Sequence, residues 1–479
     1  MPKICLAFDL GASSGRAITG KIVDGVLTLR EVHRFGNFPE ERSGHLFWNL
    51  ERLFREIKIG IAKACAAEAA PIESLSVDTW GVDYAFFRNG APVRDPYCYR
   101  DSRTADVPER VHRIVSQEEM YSICGIQEMP FNTIYQLFAH KESHPEDFLH
   151  GSRLLFMPDA LLYLLCGDLS CEYTIASTGA MLDARRGQWS ESLLERLGIP
   201  VSILPPLKRP LSASLPLRKE ICDELGIPPI SVVKVPSHDT ASAVAALPVR
   251  NRSLNRAFLS TGTWALLGTE LDSPCLSEDA RNAHFTNEGG IRDSIRFLTN
   301  IAGTWLLQEI RRTWMEAGRD ISFPEMSRLA EETGPVPFRV DPNAPEFLSP
   351  GDMPARIRSS CIASGQGSPE SDGELLRCVY DSLAECFRDK LRLLEKILHL
   401  KYDVLHMLGG ATRDSLLMRL TADSVGIPVT AGPVEATAAG NLLSQLMIAG
   451  ELSSLDEARK RVVSSFGIET WHPGSRKQS

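Results

Sequence analysis

Residues 3–16 read KICLAFDLGASSGR, and residues 256–272 read RAFLSTGTWALLGTELD. Each begins as an apolar run of strand length, breaks at a turn of Gly, Ser and Thr, and resumes as a second strand, 16–23 in the first case and ALLGTELD in the second. Two such units, each opening one half of the 479-residue chain, are a duplication of plan with little duplication of sequence. At this length a single core does not suffice, because cores stop growing near ~250–300 residues. The expectation is an α/β protein of two domains, 1–244 and 245–479, each offering a small-residue turn to one shared ligand.

Outward from these turns, 26–35 alternates as a third strand and completes a β-meander. A helix is expected from about Trp48 to Ala69, then strands at Leu75–Asp78 and Val82–Phe87. Helices should dominate 106–200, with Pro130, Pro145 and Pro158 near helix starts. The Pro-rich segments 200–216 and 226–236 read as surface loops, although SVVKV (231–235) within the second is an apolar strand. The stretch 320–372, rich in Pro, Gly and Ser, reads as an irregular insertion. Helix returns over 373–400, followed by a strand at 403–408, the turn Gly409-Gly410, and helices near 414–426 and 435–449.

Bulk properties narrow the function classes. The net charge is -9, and the Lys and Arg residues are scattered singly, so no basic footprint for nucleic acid exists. An aspartate arrives at position 9, too early for a secretory apolar core, and no stretch reaches the ~20 apolar residues of a membrane span. A cytoplasmic protein without a membrane partner is expected. Eleven cysteines with no C-x-x-C spacing predict reduced thiols rather than a zinc or disulfide framework.

The turn after the first strand holds Gly11, Ala12, Ser13, Ser14, Gly15 and Arg16. Glycines let a backbone come close to a phosphate, successive N–H groups form an anion nest, and an arginine adds charge-assisted hydrogen bonds. Asp9 is placed to face a hydrated Mg²⁺. A lone Gly/Ser turn after a strand is more often a plain hairpin, but Ser260-Thr261-Gly262-Thr263 supplies a second one. No G-x-x-x-x-G-K-[S/T], H-R-D or D-F-G motif is present, so ATP, if bound, is held in the actin-like way.

Ser237-His238-Asp239-Thr240 sets a carboxylate beside an imidazole and a hydroxyl where an apolar strand turns into a small-residue helix. Such a rigid junction suits a general base and its substrate ligands, whereas the plainer reading has Asp239 merely capping the helix. Asp78-Thr79-Trp80-Gly81-Val82-Asp83 and Tyr99-Arg100-Asp101-Ser102-Arg103 crowd polar groups and aromatics as a sugar site requires.

These residues resemble the FGGY carbohydrate kinases over nearly the whole chain. DLGASSGR (9–16), LGGATRD (408–414), ADSVGIPV (422–429) and EATAAG (435–440) are general family features. DTWGVD (78–83), YRDSRT (99–104), PFNTIYQL (130–137), SHDTASAV (237–244), STGTW (260–264), NEGG (287–290) and 300–308 are similar to the branch that acts on L-rhamnulose. The resemblance implies two actin/hexokinase-like (ribonuclease H-like) domains flanking a nucleotide and sugar cleft. The first would carry the sugar site, the phosphate turn and the catalytic aspartate, and the second the nucleotide site.

It also implies Asp239 as proton acceptor, with Gly81, His238, Thr240 and Asn300 around the sugar. Ala12, Ser13, Ser14, Gly15, Arg16, Thr261, Gln308 and Gly410 would surround ATP, with Mg²⁺ as its partner ion, in a monomer or homodimer. L-Fuculose or L-ribulose is the alternative acceptor, and an actin-like ATPase scaffold the alternative class. Two departures from the family pattern are Ala411, where a third glycine is common, and Arg419, where relatives carry glutamine.

Overall fold

The computed structural model describes residues 2–474, which divide into two compact units. One comprises 2–246, 270–297 and 437–465, and the other 247–269, 298–436 and 466–474. Neither is a single stretch of chain, since two segments of the second half pack with the first.

The first unit is built on a six-stranded sheet in the order Ser212–Pro216, Ser231–Lys234, Ile72–Thr79, Ile4–Leu10, Ser14–Val23, Val26–Gly36. Ile4–Leu10 is buried at every position, as a central strand covered on both faces must be. It pairs antiparallel with Ser14–Val23 and parallel with Ile72–Thr79, in a ribonuclease H-like arrangement. Helix Leu50–Ala67 covers one face. Asn49 caps it by accepting the Arg52 N–H at 2.9 Å, and Leu50, Leu53, Ile57, Ile61 and Ala64 recur at helical spacing on its buried side. Gly60 is required there, because a Cβ would lie 2.5 Å from the Phe8 ring.

Two expectations for this unit are corrected. The Pro-rich segment 200–216 is not all loop, because Ser212–Pro216 forms an edge strand antiparallel to Ser231–Lys234. Its Pro216 closes the strand, and an edge tolerates the missing donor. Likewise 226–236 contains the buried residues of Ser231–Lys234.

The second unit repeats the plan. Arg256–Thr261 pairs antiparallel with Ala265–Leu271 and parallel with Val404–Leu408, and Val429–Ala431 and Glu469–Trp471 extend the sheet. Helix Asp372–Leu398 opens with a capping box between Ser371 and Glu374 and stops at His399, whose φ is 51°. The expected irregular insertion at 320–372 instead contains helices Phe323–Thr333 and Met353–Ala363. Each starts at a polar cap followed by proline one or two residues into the first turn (Ser322 with Pro324, Asp352 with Pro354), so the prolines that read as loop punctuation are helix starts. All eleven cysteines are free thiols. Among the described residues no helix is long and apolar enough to cross a membrane.

Candidate active site

In the first unit the carboxyl ends of three parallel strands, Ile4–Leu10, Ile72–Thr79 and Ser231–Lys234, lie at one edge of the sheet, where open α/β sheets bind ligands. The first runs into the glycine turn. Its Gly11 N–H donates to Ser14 O at 2.9 Å, and buried Asn37 clamps it from outside, donating its backbone N–H to Ser13 O (3.0 Å) and its amide to Gly11 O (2.8 Å). At Gly15 a Cβ would lie 2.2 Å from the Phe35 ring, so this glycine serves packing as much as ligand access. Arg16 sits directly across the ladder from Asp9 and donates to its Oδ2 at 2.5 Å.

The second strand carries Asp78 one residue before its end, beside Asp9 in the parallel ladder and fully buried. Asn441 donates to its Oδ2 at 2.6 Å, and Oδ1 has no hydrogen-bond partner among the described residues. Burial first, and then the charge of Asp9, push the Asp78 carboxyl well above the usual carboxylate range.

The third strand leads into Ser237 and His238. Thr79 donates its N–H to Ser237 O at 2.9 Å and forms a bridge with His238, which brings Gly81 against the imidazole. A Cβ on Gly81 would lie 3.2 Å from His238 Nε2 and 3.3 Å from the Thr178 hydroxyl. Helix Asp239–Ala245 then begins with Asp239 as its first residue and His238 at the cap position, which corrects the reading of Asp239 as the cap. Its Oδ1 accepts from the Thr240 N–H (2.5 Å) and hydroxyl (3.1 Å) and lies 3.4 Å from His238 Nε2. Of the three strand-end carboxylates Asp239 alone is open, its side chain 32% exposed against 9% for Asp9 and full burial for Asp78.

What holds this junction is Glu172, fully buried and legible in no motif. Its carboxylate accepts from Ser237 N–H (3.0 Å) and Oγ (2.7 Å), Thr174 N–H (2.9 Å) and Oγ1 (2.5 Å), and Ile175 N–H (3.2 Å). Thr174 Oγ1 in turn accepts the His238 N–H at 3.2 Å. Glu172→Gln puts an NH₂ among these donors and is expected to cost about 2–4 kcal/mol, since hydrogen bonds to a charged group contribute roughly 1.5–3 kcal/mol each. Melting curves and steady-state rates measured together check this: the melting temperature should fall and kcat should fall with it, with the KM for ATP unmoved.

In the second unit the corresponding turn is closed by Gly262 N–H to Trp264 O (2.8 Å), and Thr304 anchors it by donating its hydroxyl to Gly262 O at 2.7 Å. The Thr261 hydroxyl is spent on Leu408 O at 2.6 Å, so what Thr261 offers a ligand is its backbone. Gln308 accepts from Thr263 Oγ1 (3.2 Å) and donates to Thr304 Oγ1 (3.0 Å). Gly409, at φ 91°, would carry a Cβ 2.3 Å from Thr261 O, whereas a Cβ at Gly410 would meet nothing within 4 Å, leaving that side open. Ala411 lies inside the short turn Gly410–Arg413, in helical backbone that alanine adopts freely. Arg419 pairs with Glu331 at 2.9 Å on a helix face. Asn300 falls near the end of strand Ile295–Ile301 and belongs to this unit.

The structure thus brings Asp9, Gly11–Arg16, Gly81, His238, Asp239 and Thr240 to one sheet edge of the first unit, and Thr261, Gln308 and Gly410 to the second. Asn37, Glu172, Thr178 and Asn441 were missed, each being an isolated polar residue whose role is set by distant neighbours. Glu288 lay inside the quoted NEGG motif but without a role.

The model of the N-terminal domain of the FGGY family of carbohydrate kinases matches residues 4–246, and that of its C-terminal domain matches 257–449. A curated relative named rhamnulokinase, from Bacteroides thetaiotaomicron, is 39% identical over 468 residues, covering 98% of this chain and 95% of that one. Another of the same name, from Halalkalibacterium halodurans, is 38% identical over 475 residues, covering 98% and 99%. Among solved structures, gluconate kinase from Lactobacillus acidophilus superposes with a TM-score of 0.80 at 16% identity, covering 99% of this chain and 94% of that one. Glycerol kinase from Plasmodium falciparum with ADP gives 0.79 at 13% identity, covering 100% and 95%.

Proposed function

The chain belongs to the FGGY family of carbohydrate kinases, and from that membership we propose that it transfers the γ-phosphoryl group of ATP to the 1-hydroxyl of L-rhamnulose. The observation that carries the choice of sugar is the pair of relatives named rhamnulokinase, matched over nearly their whole length. The site supports the chemistry. Asp239 is the exposed carboxylate at a junction made rigid by Glu172, with an imidazole at 3.4 Å and Gly81 leaving room beside it.

In this reading Asp239 accepts the proton of the 1-hydroxyl as that oxygen attacks the γ-phosphorus in line. A carboxylate is far too weak a base to deprotonate an alcohol beforehand, so the proton moves late, as the O–P bond forms. Positioning and charge stabilisation then contribute more than basicity. His238 and Thr240, which flank the base, orient the sugar. The turn Gly11–Arg16 is the phosphate contact of the first unit, and Thr261, Gln308 and Gly410 are the nucleotide ligands of the second.

Among the described residues no group of three or more His, Cys, Asp or Glu is placed to hold a metal ion. Mg²⁺ keeps several waters and would need only one or two carboxylates beside the phosphates. Asp9 is the carboxylate the turn offers, and the orphaned Asp78 Oδ1 lies behind it. When bound, the ion would neutralise charge on the transferring group.

Steady-state rates with ATP against L-rhamnulose, L-fuculose and L-ribulose test the assignment. L-Rhamnulose should give the highest kcat/KM, and a higher value for another ketose would move the assignment to that sugar. Arg16→Ala should raise the KM for ATP more than that for the sugar, because Arg16 sits at the turn read as the phosphate cradle. A change confined to the sugar KM would take this turn away from the nucleotide.

A further inference from the structure

Arg296 lies in strand Ile295–Ile301 with its side chain fully buried, among neighbours such as Phe297 and Leu298 that are apolar. Its Nε donates to Gly289 O at 2.8 Å. One terminal nitrogen, Nη2, lies 3.0 Å from Glu288 Oε2 and 3.0 Å from His238 Nδ1. The other, Nη1, has no hydrogen-bond partner among the described residues. The turn that carries Glu288 and Gly289 is itself pinned: Gly289 donates its N–H to the Ser177 hydroxyl at 2.7 Å and Gly290 to Ser294 O at 2.7 Å.

Burying a guanidinium and a carboxylate is an expensive way to fill a core, and a pair of apolar residues would often do it at least as well. The arrangement has a consequence for His238, however. Arginine has only donors and does not lose its proton in proteins. The imidazole nitrogen facing Nη2 must therefore accept, which leaves its lone pair on Nδ1 and its proton on Nε2. Glu288 Oε2, 3.3 Å from the same Nδ1, would by itself favour the opposite tautomer, with the proton on Nδ1. Nε2 is the nitrogen that faces Asp239 Oδ1 at 3.4 Å and the space over Gly81.

We propose that Arg296, held by Glu288 and the Gly289 carbonyl, is a positioning residue that fixes His238 as the Nε2–H tautomer, so that the ring donates toward the sugar and the base. This rests on the reading of His238 as a sugar ligand and Asp239 as proton acceptor. With the tautomer reversed, a lone pair on Nε2 would face the Asp239 carboxylate, and the donor to the sugar would be gone. Arg296 touches neither reacting atom, and acts through the ring.

The test separates tautomer from turnover. In ¹⁵N-histidine-labelled protein without ligands, with the His238 resonances assigned by their loss in His238→Gln, the wild type should show Nε2 protonated and Nδ1 bare. Arg296→Gln combined with Glu288→Gln removes both charges together, so that neither is stranded. It should melt cooperatively, no longer hold the ring proton on Nε2 alone because the donor that made Nδ1 accept is gone, and turn over on the order of 10²-fold more slowly at an unchanged KM for ATP. That loss is smaller than the ~10⁴-fold that follows when a catalytic triad loses its tautomer.

Glu288→Gln alone keeps the arginine donor and should keep the Nε2 proton. A wild-type Nδ1 that carries the proton overturns the proposal, whether or not the double variant folds. So does a folded double variant with wild-type tautomer or wild-type kcat, or a reversal in Glu288→Gln alone. Because the tautomer is read without substrate, Nε2 protonation in a protein that phosphorylates no ketose would sink the substrate assignment and leave the role of Arg296 standing.

Discussion

Asp239→Asn should lower kcat by roughly 10²–10⁴, the range for removal of a positioned acid or base, while the protein melts near the wild-type temperature and binds its sugar with little loss. The substitution is informative because of where the carboxylate stands. Asp239 is the first residue of its helix, and among the described residues its side chain accepts hydrogen bonds from the adjacent Thr240, at N–H and hydroxyl. An asparagine amide oxygen accepts from the same two donors, so the start of the helix survives. What is lost is the ability to take a proton from the attacking hydroxyl. Asp9 and Asp78 cannot substitute, the one engaged by Arg16 and the other fully buried. A variant turning over near the wild-type rate would reduce Asp239 to a structural residue of the helix start, and would leave the site with no exposed carboxylate to act as base.

Gly440→Ala is expected to cost about 3 kcal/mol or more, at the upper end of overpacking penalties. A Cβ at Gly440 would sit 1.7 Å from the carbonyl oxygen of Ser242, in the helix that begins with Asp239. Neither partner is the loose end of a side chain, so a helix backbone must move. The movement would not stay local. Helix Ala436–Ile448 also carries Asn441, which holds Asp78, and Gln445, which donates to Leu6 O at 2.9 Å and accepts from the Ser74 hydroxyl at 2.7 Å. Retreat of this helix therefore disturbs both the Asp239 junction and the strand ends behind the Gly11–Arg16 turn. Chemical denaturation should show the lost stability, and kcat in the surviving folded fraction should fall as well. Unchanged stability would mean that the two helices are not in the close contact that the added methyl would have to break.

Much of the site lay open in the one-dimensional pattern. Strand–turn–strand units at 3–23 and 256–272, the SHDT junction and the D-T-W-G run are local signals: an apolar run, a glycine where the backbone must turn, a carboxylate where strand becomes helix. Local chemistry sufficed for them because each is made by neighbours in the chain. The prolines at 324 and 354 misled for the same reason in reverse, since proline is as much at home in the first turn of a helix as in a loop, and burial decides which.

Other features belong to the tertiary structure alone. Glu172 is an unremarkable glutamate until folding sets Ser237 and Thr174 around it. Arg296 and Glu288 acquire meaning only where His238 stands between them, 58 residues back along the chain from the arginine. Asn441 reaches Asp78 across 363 residues. The sequence by itself determined the fold class, the two small-residue turns and the strand-to-helix junction that carries Asp239, because periodicity and turn chemistry are written in adjacent residues. Which proton state the buried groups hold, and which polar side chains fix Asp239 in place, were decided only when burial removed water and left each group no partner except those the fold supplied.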